Sequence, residues 1–117
     1  MSDPPDNDRP ASFAPPPDVT IEPTWLIEAT YAPDAADSRV PFRARHLARL
    51  VELMDAGVVV AAGAFADVSA SMIVVRAADE RAALDIARSD IYMANGVWVE
   101  VRARPFGLVV RSGAAGS

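Results

Sequence analysis

The one histidine of the chain, His46, lies in the segment PFRARHLARL, residues 41–50. Read as a helix, this segment puts Phe42, His46, Leu50 and Leu53 in one row, and Leu47, Val51 and Met54 extend the same apolar arc. Arg45, Arg49 and Glu52 fall on the opposite arc. The imidazole is therefore expected to face the interior or a cleft. Two roles fit it: a ring whose nitrogens are satisfied by backbone or water, or a general base or acid for proton transfer near neutral pH. The second role needs a carboxylate within hydrogen-bond reach to fix the tautomer. Arg43 falls in the same arc, where it either points into the cleft or snorkels into solvent from the first turn. Tyr31, Tyr92, the carboxylates and the other arginines complete the groups available for chemistry.

Other chemistries lack their residues. There is no GxxxxGK[ST] run, no GxGxxG after a strand, no HExxH and no GxSxG, so phosphate-cradling, zincin and hydrolase-elbow motifs are absent. Zero cysteines remove disulfides, a thiolate nucleophile and cysteine-based metal sites. A single histidine leaves few ligands for any other metal, and no metal or cofactor is expected. All 11 basic residues are arginine and the net charge is −5. Asp3, Asp6, Asp8, Asp18 and Glu22 against Arg9 concentrate that acidity in residues 1–23, and the remainder is close to neutral. Without a positive field, nucleic acid and acidic membranes are not expected as partners. The start, MSDPPDNDRP, has no signal-like basic and apolar regions, and no apolar run approaches the roughly 18 residues of a membrane span. A soluble, cytoplasmic protein is expected.

Chain length and a hydrophobic content of 51% suit one packed domain. Residues 1–23 carry Pro4, Pro5, Pro10, Pro15, Pro16, Pro17 and Pro23, a density that removes backbone donors and predicts an acidic, flexible tail. The domain then spans residues 24–111, and residues 112–117 form a flexible C-terminus. TWLIEATY, residues 24–31, alternates like a strand. APDAADSRVP reads as a loop, and a helix from about 41 to 56 ends at Gly57, a left-handed cap. VVVAAGAFA, residues 58–66, is a second strand with a bulge or close approach at Gly63. MIVVRA, residues 72–77, is a third strand, apolar on both faces.

Asp79 caps a second helix, and SDIYMANG, residues 89–96, is a short turn or irregular helix. In the last strand, 97–105, Val97, Val99, Val101 and Ala103 alternate with Trp98, Glu100, Arg102 and Arg104. Glu28 or Glu100 can pair across the sheet with Arg102 or Arg104. The order βαββαβ defines an α+β, ferredoxin-like sandwich: a four-stranded antiparallel sheet with two helices on one face. The other face is expected to expose Trp25 or Trp98, and a homodimer through it is the simplest cover. An RNA-binding domain of the same order is set aside, because strand three has no aromatic platform and the domain is not basic.

The segments HLARLVELMDAGVVVAAGAF and SMIVVRAADERAALDIARSDIYMANGVWVEVRARPF resemble the YCII-related domain family of the dimeric α/β-barrel superfamily. The shared features are a histidine in the first helix, a glycine turn into strand two, a second helix rich in small residues, an aspartate just beyond it and a closing Arg-Pro-Phe. They cover residues 24–106. The resemblance implies that His46 and Asp90 form a dyad lining a small pocket in each subunit of a dimer. Members are mostly of unassigned function; one related group acts as a dehydrochlorinase on chlorinated hydroxyquinones, and other superfamily members are lactone isomerases and monooxygenases. The family has Pro after this aspartate where this chain has Ile91, and Tyr92 matches the aromatic position that follows. Read from its neighbours alone, Asp90 is equally a turn residue whose carboxylate caps the next segment.

These readings combine into an expected small-molecule lyase or isomerase: Asp90 orients His46, His46 moves a proton, and Arg43 or Tyr92 holds an oxyanion, with no cofactor needed. The alternative is a module of the same fold that binds a small molecule or another protein without turnover.

Overall fold

A computed structural model of the chain describes residues 16–111. The elements in order are β1 (Val19–Tyr31), α1 (Ala35–Ser38), a 3-10 turn (Val40–Phe42), α2 (Arg43–Asp55), β2 (Val59–Ala64), β3 (Ala70–Val75), α3 (Glu80–Arg88), α4 (Ile91–Ala94) and β4 (Trp98–Arg111). The sheet order is β2-β3-β1-β4, the order of a ferredoxin-like α+β fold. The expected fold class therefore stands. Two compact units are distinguished. One is Pro23–Gly107; the described part of the other is residues 16–22 and 108–111, where an exposed ion pair joins Arg111 to Asp18 at 3.8 Å.

Alternation in β1 decides which side chains form the core. Trp25 pairs with Val75, Ile27 with Ile73 and Ala29 with Ser71, all antiparallel. Ile27, Ala29, Ile73 and Val75 are buried with Tyr31 in the core that also holds Leu50, Ala83, Ala87, Tyr92 and Trp98. Each fully buried large aliphatic side chain contributes roughly 1.5–3 kcal/mol, so this face drives the sandwich together. The residues between them, Leu26, Glu28, Met72 and Val74, lie on the other face and are half-buried. There Glu28 meets Arg102 at 3.3 Å, the expected cross-sheet pair.

The helix ends follow their sequence signals. Gly57, at φ +78°, closes α2, with its N–H donating to Met54 O and the Val58 N–H to Leu53 O, the paired bonds of a Schellman ending. Asp79 opens α3, its side chain accepting from the Ala82 N–H at 2.8 Å. No helix among the described residues is long and apolar enough to cross a membrane.

Several expectations need correction. β1 starts at Val19 rather than Thr24 and contains Pro23. Its pairing with β3 runs from Trp25 to Thr30, so Pro23 lies outside that ladder and its missing donor breaks no bond with β3. The rest of the predicted tail, residues 1–15, and the predicted C-terminus, 112–117, lie outside the described residues. The loop before α2 contains the short helix α1, and Pro41 sits in the 3-10 turn rather than in α2 itself. In β2 the irregularity falls between Val59 and Ala61, not at Gly63. Trp98 is not on the open face but is 1% exposed in the core. Trp98 and Ala103 are both buried although an odd number of residues apart, so the simple alternation of β4 is broken between them. Trp25 also packs against the core. On α2 the predicted arc is too wide: His46 and Leu50 are buried, but Leu47, Val51 and Met54 are 46%, 54% and 40% exposed.

Candidate active site

His46 sits in the first turns of α2, and Asp90 sits in the joint between α3 and α4. The chain leaves α3 at Ser89, and Asp90 turns extended, φ −77° and ψ 145°, as the N-cap of α4. Its Oδ1 accepts from the Tyr92 N–H at 2.9 Å. This is the backbone conformation that a following proline would enforce, and it forms here with Ile91 in that place.

The same Oδ1 lies 2.8 Å from His46 Nδ1. A carboxylate only accepts, so Nδ1 carries the proton and Nε2, on the opposite edge of the ring, has the free lone pair of the neutral imidazole. Asp90 Oδ2 accepts from Arg49 Nη1 at 3.2 Å, and Arg49 Nη2 donates to Ile86 O at 3.0 Å. Arg49 thus ties the carboxylate and the last turn of α3 to α2. Burial alone raises the pKa of Asp90, which is 1% exposed. The His46 hydrogen bond, the Tyr92 N–H and the nearby charges of His46 and Arg49 outweigh burial and hold the carboxyl below its ordinary value.

The imidazole packs against two aromatic rings that also touch each other. Tyr92 stacks on it with centroids 3.8 Å apart and planes 10° apart, and the Trp98 ring stands edge-on at 5.2 Å. Beside it opens a cavity of about 230 Å³ bounded by α2, the sheet and α4. His46, Arg43 and Tyr92 line this cavity together with Arg39, Tyr31 and Ser71, while Leu47, Leu50, Ala62 and Ile73 form its apolar wall. The Tyr31 hydroxyl accepts from Ser71 Oγ at 3.1 Å. Burial, and then the neighbouring Tyr31, push the Tyr92 phenol above its ordinary value against the opposing charges of Arg39 and Arg43. Tyr92 is therefore a neutral hydrogen-bond donor at physiological pH.

Of the four residues singled out from the sequence, His46, Arg43 and Tyr92 share the cavity wall, and Asp90 stands behind the histidine ring rather than on the wall. Arg49 was expected on the opposite arc of the helix and is instead a partner of Asp90. Residues three apart on a helix are neighbours, so the spacing put Arg49 near His46, but it carried no signal for the contact with Asp90. Arg39 had no signal, because it precedes the helix in a segment read as loop. Among the described residues no group of His, Cys, Asp and Glu is placed to hold a metal ion.

A ferredoxin-like domain with a buried carboxylate behind a cavity-lining histidine is the class that the fold and site define. The chain matches the YCII-related domain family over residues 24–107, and it belongs to that family. No curated protein matches it. Among solved structures it is similar to 5-chloro-2-hydroxyhydroquinone dehydrochlorinase (TftG) from Burkholderia phenoliruptrix AC1100, in a complex with 2,5-dihydroxybenzoquinone. The TM-score is 0.61 at 17% identity, covering 71% of this chain and 92% of that one, a likeness of fold.

Proposed function

We propose that this protein is a small-molecule lyase or isomerase working by proton transfer at His46. The observation that carries this reading is the 2.8 Å contact between Asp90 Oδ1 and His46 Nδ1, which in the neutral imidazole puts the proton on Nδ1 and leaves the lone pair on Nε2, in a ring that lines the cavity. Nε2 takes a proton from a carbon or hydroxyl of the substrate. Arg43 and the Tyr92 hydroxyl hold the oxygen on which negative charge develops. The imidazolium, stabilised by Asp90, then returns the proton elsewhere on the substrate, or a leaving group departs and the proton is lost to solvent. These steps use only the chain's own groups. Small oxygenated rings are the substrate class in view, and the hydroxyquinone in the TftG structure is the first probe. A second copy over the open sheet face, where Leu26, Met72 and Val74 are half-buried, belongs to the same reading.

The test compares wild type, Asp90→Asn and His46→Ala. Nitrogen-15 spectra of neutral His46 should show the Nδ1–H tautomer in wild type and a shift toward Nε2–H in Asp90→Asn, whose amide donates. Solvent deuterium entering the ring positions of hydroxyquinone probes should slow by about a hundredfold or more in His46→Ala. Equal tautomer populations, or exchange indifferent to His46, would sink the reading. Stabilisation by a probe that is never altered would instead support the binding module.

A further inference from the structure

The charges around the cavity do not balance. Arg39 and Arg43 both line it, and no carboxylate does. Asp90 is screened by the His46 ring and already engaged by Arg49 at 3.2 Å. Among the described residues neither Arg39 nor Arg43 has an acidic partner. Arg39 instead rests its guanidinium over the Tyr31 ring, 6.0 Å from the centroid. Arg43 is the first residue of α2, and that helix has no acidic residue in its first turn and no side-chain cap. A cation there adds to the positive end of the helix dipole instead of opposing it. Two guanidinium groups without acidic partners, Arg39 half-buried and Arg43 exposed at the start of an uncapped helix, give the cavity a positive field that favours an anion. Leu47, Leu50, Ala62 and Ile73 add an apolar lining, and about 230 Å³ exceeds the roughly 150 Å³ that admits a benzene ring.

We propose that the cavity selects small planar rings bearing an anionic oxygen group, with Arg39 and Arg43 together supplying the selectivity. The ring lies against Leu47, Leu50 and Ile73, and the two guanidinium forks meet the anionic oxygens at the mouth. Arg43 then binds the ground-state charge of the ligand as well as any charge that develops later. This names the substrate class of the site in the proposed function and rests on that reading for its relevance to turnover.

The test is calorimetric titration of the full chain with benzoate and with benzamide, which share shape and differ in charge. Benzoate should bind at least about tenfold more tightly than benzamide. Added salt should weaken benzoate and leave benzamide unchanged. Arg39→Met and Arg43→Met should each cost benzoate several-fold, the double variant should erase the discrimination, and Arg43→Lys should keep part of it. Both arginines stand at the surface side of the cavity, and unchanged circular-dichroism melting of each variant confirms that folding is intact. Equal affinities for the two probes, no binding of either at millimolar concentration, or benzoate affinity untouched in the double variant each overturns the proposal. The outcome is separable from the dyad: a failed tautomer shift in Asp90→Asn leaves charge selection standing, and lost charge selection leaves the tautomer result standing.

Discussion

Asp79 and Asp90 perform the same local task in two places. Each is the extended residue before a helix, and each accepts a backbone N–H two or three residues on, at 2.8 and 2.9 Å. Asp79 is exposed and does nothing further among the contacts described. Asp90 is 1% exposed and uses its remaining acceptor capacity on His46 and Arg49, residues more than forty positions away. A cap is thus a starting condition, not a function. What makes Asp90 a candidate for chemistry is that the turn aims its carboxylate inward, at a helix whose histidine and arginine are one turn apart.

The comparison is broken most sharply by removing each carboxylate in turn. Asp90→Ala strips the partner from a buried His46 and from Arg49 and should cost about 3 kcal/mol in urea unfolding. If it costs no more than a lost cap, Asp90 is only a cap. The pH dependence refines the same point. Because the folded carboxyl titrates below its unfolded value, the unfolded chain binds the proton first on acidification. The stabilisation from Asp90 is therefore full above the ordinary carboxylate value of about 3.9 and is lost as pH falls through the lower, folded value. The stability gap between wild type and Asp90→Asn should not close between pH 7 and about pH 4 and should close below it. A gap already closing between pH 7 and pH 5 contradicts the assignment. The smallest effect is Asp79→Ala, about 1 kcal/mol for a solvent-exposed cap, read in the same urea experiment.

The sequence made one of these two aspartates legible and half of the other. Asp79 before a helical pattern is local turn chemistry, as is Gly57 after one, and both appear where composition puts them. Periodicity also turned His46 inward, but it could not say which side of the arc would be covered: Leu47, Val51 and Met54 share the pattern and stand in solvent. The position of Arg49 beside Asp90 depends on how α2 lies against the joint of α3 and α4, which is tertiary geometry that no window of residues contains. Trp98 was misplaced because one break in the alternation of β4 moves a side chain to the other face. Pro23 misled in the opposite direction, since a proline bars a strand only where its missing N–H would have a partner.

The four residues of α4 are too few to hold a helix on their own. Their first turn is fastened by the same oxygen that meets His46, so the His46–Asp90 geometry is coupled to the local folding equilibrium of α4. Opening of that single turn dismantles the dyad while the sheet stays intact, and the amide of Tyr92, bonded to Asp90 Oδ1, is the proton whose exchange with solvent counts those openings.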